Sequence, residues 1–161
     1  DSAATAVERG GWKKVGVVAT AATVGAGSYG RTLRARIPGI DVVEVPAPAL
    51  VPMVEAGKIT GEEPREAVAH VCDHLPIDLD AVVLGCTHYP VLAAHFAAAL
   101  GENVALIDPA TIQAERAADL LGKRAEGNGT TRYITNGDLE TFKQNVVRIM
   151  LEADPLTERI S

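Results

Sequence analysis

Four short runs of small aliphatic residues recur along the chain: Val15 to Ala19, Val42 to Val45, Ala81 to Gly85 and Val104 to Ile107. Apart from Glu44 they lack the polar alternation of a half-exposed strand. A run that is apolar at successive positions must be covered on both faces, as a strand is in a parallel sheet flanked by helices. The intervening stretches, Ser28 to Ile37, Pro64 to Leu75, Pro90 to Leu100 and Thr111 to Leu121, carry their apolar residues at helical period. Strand-helix-strand order of this kind predicts an α/β fold with a doubly wound, mostly parallel sheet and right-handed crossovers. Gly101 and the pair Pro38-Gly39 stand where helices end.

The chain's second half is organised differently. The segment Ala125 to Thr130 is rich in glycine and polar residues and predicts a flexible break. A short strand, Arg132 to Thr135, and a helix, Leu139 to Leu151, are expected after it. The strand-helix, strand-helix tail from 104 to 161 is small for an independent domain, so it is expected to pack on something else. No internal repeat or low-complexity tract interrupts the pattern.

Composition narrows the function. The 161 residues are 47% hydrophobic but only 4% aromatic, which suits strands and helices packed through alanine, valine and leucine. A net charge of −6, spread without basic runs, argues against nucleic acid as a partner. No stretch of eighteen uncharged apolar residues is present, and the first residues form no signal peptide, so no membrane role is expected. Two cysteines, Cys72 and Cys86, make neither a disulfide framework nor a zinc spacing, and no metal is predicted. A reducing cytoplasm is the expected location.

Cys86 is the leading candidate for chemistry. It follows the third valine-rich run and precedes Pro90, which suits the first turn of a helix. Open α/β sheets bind ligands at the carboxyl ends of their strands, and a helix N-terminus favours thiolate over the usual thiol pKa of about 8.5. If the chain stays extended there, Cys86 and His88 point to the same side. The plain alternative, a buried cysteine acting as a small hydrophobe, fits Cys72 better, since Cys72 lies inside a helical stretch. His70, His74 and His95 lie on helical stretches and read as surface or half-buried residues.

Two more segments follow strands. Thr20 to Tyr29 is rich in glycine and hydroxyls and could hold an anion on free N–H groups, or could simply be N-capped by Thr23. It lacks the GxGxxG and GxxxxGK[ST] patterns, so no nucleotide is implied. Pro48 to Gly57 places Glu55 in an apolar stretch, where a carboxylate is paired, faces a cleft, or is solvated on a helix.

Taken together, these segments resemble the glutamate racemases of the aspartate/glutamate racemase superfamily. Val82-Val83-Leu84-Gly85-Cys86-Thr87-His88-Tyr89-Pro90-Val91-Leu92 is similar to the family's second cysteine signature. Val15 to Tyr29 resembles its IGVIGTxxTIxSxxY element, and Pro48 to Gly57 its PLLVPxVExG stretch. Ile107-Asp108-Pro109 and Thr135-Asn136-Gly137-Asp138 resemble its C-terminal part. The resemblance implies two α/β domains enclosing a site to which each contributes one cysteine. It implies interconversion of L- and D-glutamate without a cofactor, for peptidoglycan. Cys86 then corresponds to one acid/base, Thr87, His88 and Thr20 to substrate contacts, and His88 and Glu55 to groups assisting catalysis. His88 after Cys-Thr favours glutamate over aspartate.

The family's DSGVGG and CNTA motifs, the latter with the first cysteine, do not occur in these residues, and Ala47 stands where many members have a non-catalytic cysteine. The expectation is that residues 1 to 106 form the second domain and that 107 to 161 pack on an N-terminal domain encoded upstream, so that this chain alone is inactive. A homodimer is compatible with the family. Two rival readings stay open: a cysteine hydrolase or amidotransferase, although Tyr89 replaces the second glycine of a G-x-C-x-G elbow, and a non-catalytic small-ligand-binding module.

Overall fold

A computed structural model of the protein describes residues 1 to 122 and 129 to 160. The chain divides into two compact units, Asp1–Leu120 and Leu121–Ser161.

The first unit is built on a four-stranded parallel sheet of order β2-β1-β3-β4, formed by β1 (Lys14–Ala19), β2 (Asp41–Pro46), β3 (Ala81–Leu84) and β4 (Ala105–Ile107). The valine-rich runs are strands because both of their faces are covered. Val15, Val17 and Ala19 of β1, with Ala81 and Val83 of β3, join one buried cluster with Ala3, Ala4 and Val7 of α1 (Ser2–Gly10) and Leu33 of α3 (Ser28–Arg36). Val18, Val82 and Leu84 point the other way. They pack with Leu50 and Val54 of α4 (Leu50–Glu55), Val68 of α5 (Glu62–Cys72) and Phe96 of α6 (Ala93–Leu100). The helix α7 (Pro109–Leu121) follows β4.

The strand order matters for function. From β1 the chain moves to one side to make β2, then crosses to the other side to make β3 and β4. The reversal lies between β1 and β3, and the crevice beyond their carboxyl ends is the switch point at which open α/β sheets hold ligands. Val18 pairs with Leu84, so Thr20 and Cys86 each lie two residues past that register on adjacent strands.

Local punctuation agrees with the residues. Gly11, at φ 70°, and Gly101, at φ 80°, end α1 and α6 in a conformation that L side chains resist. Three features depart from expectation. Residues 2 to 10 form a helix although only Val7 marks an apolar stripe, because Ala3 and Ala4 supply the rest of the buried face. Thr20, not Thr23, caps the short α2 (Ala21–Ala26), its hydroxyl accepting from the Thr23 N–H at 3.3 Å. And the helix expected from Pro90 opens as a 3-10 turn, Tyr89–Leu92, with the α-helix starting only at Ala93. The helix-dipole argument for Cys86 weakens accordingly, since that field fades within a turn.

The second unit contains β5 (Arg132–Thr135), α8 (Leu139–Met150) and β6 (Leu156–Arg159), with β5 and β6 paired in parallel. Asp138 caps α8 by accepting from the Thr141 N–H at 2.8 Å. The strand β6 was not foreseen, because Leu156-Thr157-Glu158-Arg159 lacks a valine-rich signature. Four residues of the predicted break, 125 to 128, lie outside the described residues.

Candidate active site

Beyond β3 the backbone bends at Cys86 and turns through His88, whose φ of −80° and ψ of −29° are helical rather than extended. Cys86 and His88 do lie together, but the turn brings them there, not strand alternation. The Cys86 Sγ is 3.7 Å from His88 Nδ1. On the far side of the ring, His88 Nε2 is 2.6 Å from Glu55 Oε1, at the C-terminus of α4.

The chemistry of the carboxylate orders this chain. An ionised carboxylate can only accept, so the proton between Glu55 and His88 belongs to Nε2. In the neutral ring Nδ1 is then an acceptor and faces the thiol. Cys86, His88 and Glu55 thus form a thiol–imidazole–carboxylate relay in which a proton can pass from sulfur to a ring whose orientation the carboxylate holds. The His88 side chain is 29% exposed and that of Glu55 62%, so the far end of the relay is solvated.

Two tyrosines border Cys86. Burial, followed by the negative charge of a Cys86 thiolate, raises both phenols, Tyr89 to about 12. Tyr29 reaches the backbone just before the cysteine: a Cβ on Gly85 would lie 3.1 Å from Tyr29 Cε2, 3.0 Å from the Ala19 side chain and 3.1 Å from the Val18 carbonyl. Gly85 therefore lets β3 close against β1 and Tyr29, which fixes where the strand delivers Cys86.

The remaining candidates separate into those near this edge and those away from it. Thr20 is half-buried past β1, its hydroxyl 2.9 Å from that of Thr23, while Thr87 is exposed beside Cys86. Cys72 is half-buried on α5, and burial, then Asp73, raises its thiol to about 11. Of the other histidines, His95 meets the Ile59 carbonyl at 2.9 Å, and His70 and His74 stack edge to face. The sequence pairs Cys86 with His88 but gives no sign of the contact between His88 and Glu55. Nor did it single out Tyr29 and Tyr89, whose only signal was an aromatic in each of two site segments.

The family model for Asp/Glu/hydantoin racemases matches residues 1 to 117. The chain belongs to that family. Among racemases, it is 39% identical over 145 residues to the glutamate racemase of Gloeobacter violaceus, covering 88% of this chain and 54% of that one. It also superposes on glutamate racemase from Thermus thermophilus, solved with β-chloro-D-alanine, with a TM-score of 0.80, 33% identity and coverage of 99% of this chain and 60% of that one. The Francisella tularensis glutamate racemase, solved with D-glutamate, gives a TM-score of 0.81 at 25% identity, covering 99% and 61%. The chain thus spans somewhat more than half the length of these racemases. Among the described residues, no helix is long and apolar enough to cross a membrane.

Proposed function

We propose that these residues form one wall of a cofactor-independent glutamate racemase, with Cys86 as one of two acid/base thiols. The observation that carries the reading is the Cys86–His88–Glu55 relay at the sheet's switch point. Its supports are the family membership and the likeness to a racemase that binds D-glutamate.

The reaction explains why a single thiol is not enough. A Cys86 thiolate takes the α-proton from one face of glutamate: the Cα–H bond breaks, an S–H bond forms, and the electron pair moves into the substrate carboxylate. A thiol on the opposite face then returns a proton to Cα, and the configuration inverts. His88 accepts or returns the Cys86 proton between turnovers, oriented by Glu55. Thr20 and Thr87, on adjacent strand ends, supply donors for the substrate carboxylates. Cys72 does not serve as the second thiol in this reading, because it is packed on α5 with its ionisation suppressed by burial. The opposing thiol belongs to a facing domain, so residues 1 to 106 form the second domain and 107 to 161 pack on the first. D-glutamate made in the cytoplasm would feed peptidoglycan.

Circular dichroism of glutamate tests this directly. The 161 residues alone should give no racemisation, while a protein extended upstream to include a second thiol should. In the extended protein Cys86→Ala should cost about 10²- to 10⁴-fold in kcat, the usual contribution of a positioned acid/base. Racemisation by the 161 residues alone would defeat the two-thiol account.

The same relay geometry also suits a nucleophilic cysteine of the hydrolase or amidotransferase kind, where a histidine activates the thiol and a carboxylate orients the ring. A covalent acyl-thioester on Cys86, detected by mass spectrometry after incubation with glutamine or an ester, would favour that second reading.

A further inference from the structure

Tyr89 heads the fully buried side chains by size, and its ring lies 6.4 Å from that of Phe96, centroid to centroid. Packing of this kind is equally available to phenylalanine. What phenylalanine lacks is the hydroxyl, which donates to the Ala47 carbonyl at 2.8 Å inside the core.

The position of that bond is informative. Ala47 follows β2 and is 1% exposed, and three residues on, Leu50 opens the helix that ends in Glu55. Tyr89 follows β3, one residue after His88. The strands β2 and β3 do not pair, because β1 lies between them. The segment bearing Cys86 and His88 and the segment leading to Glu55 are thus not paired with each other, although the end of β1 holds both: the Ala47 N–H donates to the Ala19 carbonyl at 2.9 Å and the Gly85 N–H to the Val18 carbonyl at 2.7 Å. Side chains add the direct links between them: Tyr89 to Ala47 in the core, His88 to Glu55 at the surface, and His95 to the Ile59 carbonyl farther along. Of these the Tyr89 bond is fully buried and lies next to the relay. The Leu50 N–H also donates to the Ala47 carbonyl, but at 3.3 Å. Without the phenol, a buried carbonyl would keep only this longer bond.

We propose that the Tyr89 hydroxyl is a positioning group: by holding the Ala47 carbonyl it fixes α4 against the Cys86 turn, and so sets the contact between Glu55 and His88. The proposal rests on the relay of the preceding subsection. It predicts that a buried hydroxyl, bonded to a backbone carbonyl and not to a member of the relay, tunes the reactivity of the Cys86 thiol. Burial keeps the phenol protonated and donating throughout the range in which a thiol titrates.

The test is the rate of Cys86 alkylation by iodoacetamide from pH 5 to 10, read by peptide mass spectrometry on the 161-residue chain, with Cys72 as an internal marker of unfolding. Glu55→Gln removes the carboxylate that favours a charged imidazole next to the thiolate, so its profile should move to higher pH. Tyr89→Phe should move the profile in the same direction and slow alkylation at pH 7 roughly fivefold, the ratio equivalent to one net hydrogen bond. Cys72 should stay slow in both variants. A role in packing alone would lower thermal stability and leave the Cys86 profile where it was; a Tyr89→Phe profile coinciding with the parent's, while that of Glu55→Gln has moved, overturns the proposal. An unmoved Glu55→Gln profile overturns the relay itself, and the tether with it, whatever the racemisation assay gives. If Tyr89→Phe exposes Cys72 and so does not fold, the coupling is read in reverse. Glu55→Gln should then speed exchange of the Tyr89 hydroxyl proton with solvent by NMR, and an unchanged rate overturns the tether.

Discussion

The two units of this chain differ in how far they bury their apolar residues, although the first also leaves Ile77 and Leu120 exposed. In the sheet unit Val15, Val17, Val18, Val82 and Val83 are completely buried, and helices cover both faces. In the second unit Val146 is buried, but Ile134, Leu139, Ile149, Met150, Leu151, Leu156 and Ile160 are all exposed, Leu151 by 88%. A unit of so few residues with a two-stranded sheet cannot cover such side chains by itself. Residues up to Leu120 belong to the first unit, with Ile107 and Ile112 buried there. The first unit therefore buries a core on both faces of its sheet, whereas the second has little apolar burial to hold it.

One substitution made in both units gives the largest expected contrast. Val17→Ala should cost about 2–3 kcal/mol, roughly 0.8 for each methyl removed from the core plus a cavity that a strand packed on both faces cannot close. Val146→Ala should cost less than about 1 kcal/mol, because the side chains around it are free to collapse. Two units need not unfold together, so a single melting temperature is the wrong measure. Native-state hydrogen exchange, followed separately for β1 and for α8, is the right one. Equal costs would mean that the two units hold their buried valines alike.

The same contrast explains what could be read from the sequence. Parallel strands with both faces covered announced themselves as valine-rich runs, and β1 to β4 all lie on those runs. The strand β6 could not be found that way, since its residues are mostly exposed and mix charge with apolarity. The first helix was hidden because alanines, not large residues, make its buried face. At the site, Cys86 and His88 were legible as a motif two residues apart. Their contact with Glu55 was not, because it spans 33 positions and depends on the order β2-β1-β3-β4 and on the turns after β2 and β3. Local pattern carries the elements; the meeting of distant side chains follows only from topology.

A smaller effect is expected at the junction of sheet and site. Gly85→Ala introduces a Cβ within 3.1 Å of three atoms, one of them the Val18 backbone carbonyl, which cannot swing aside. Overpacking of this kind should cost about 1–2 kcal/mol and should displace Cys86 as well. Chemical denaturation monitored at Trp12, a partly buried neighbour of the same core cluster, measures the first effect, and the Cys86 alkylation rate the second. A variant as stable as the parent, with unchanged alkylation, would mean that the closure of β3 on β1 and Tyr29 does not set the thiol's place.

The smallest effect is expected in the second unit, and it has the opposite sign. Leu151 ends α8 at φ 55° and ψ 31°, the left-handed conformation usually left to glycine, where a Cβ crowds the following carbonyl. It is also the most exposed large hydrophobic residue of that unit, so little burial compensates the strain. Leu151→Gly should therefore stabilise α8 by about 0.5–1 kcal/mol, relieving the native strain by more than the added freedom of glycine in the unfolded chain costs. Slower amide exchange in the last turn of α8 is the expected observation. Faster exchange there would mean that the Leu151 side chain makes contacts worth more than the strain, and that the second unit is better covered than its exposed residues indicate.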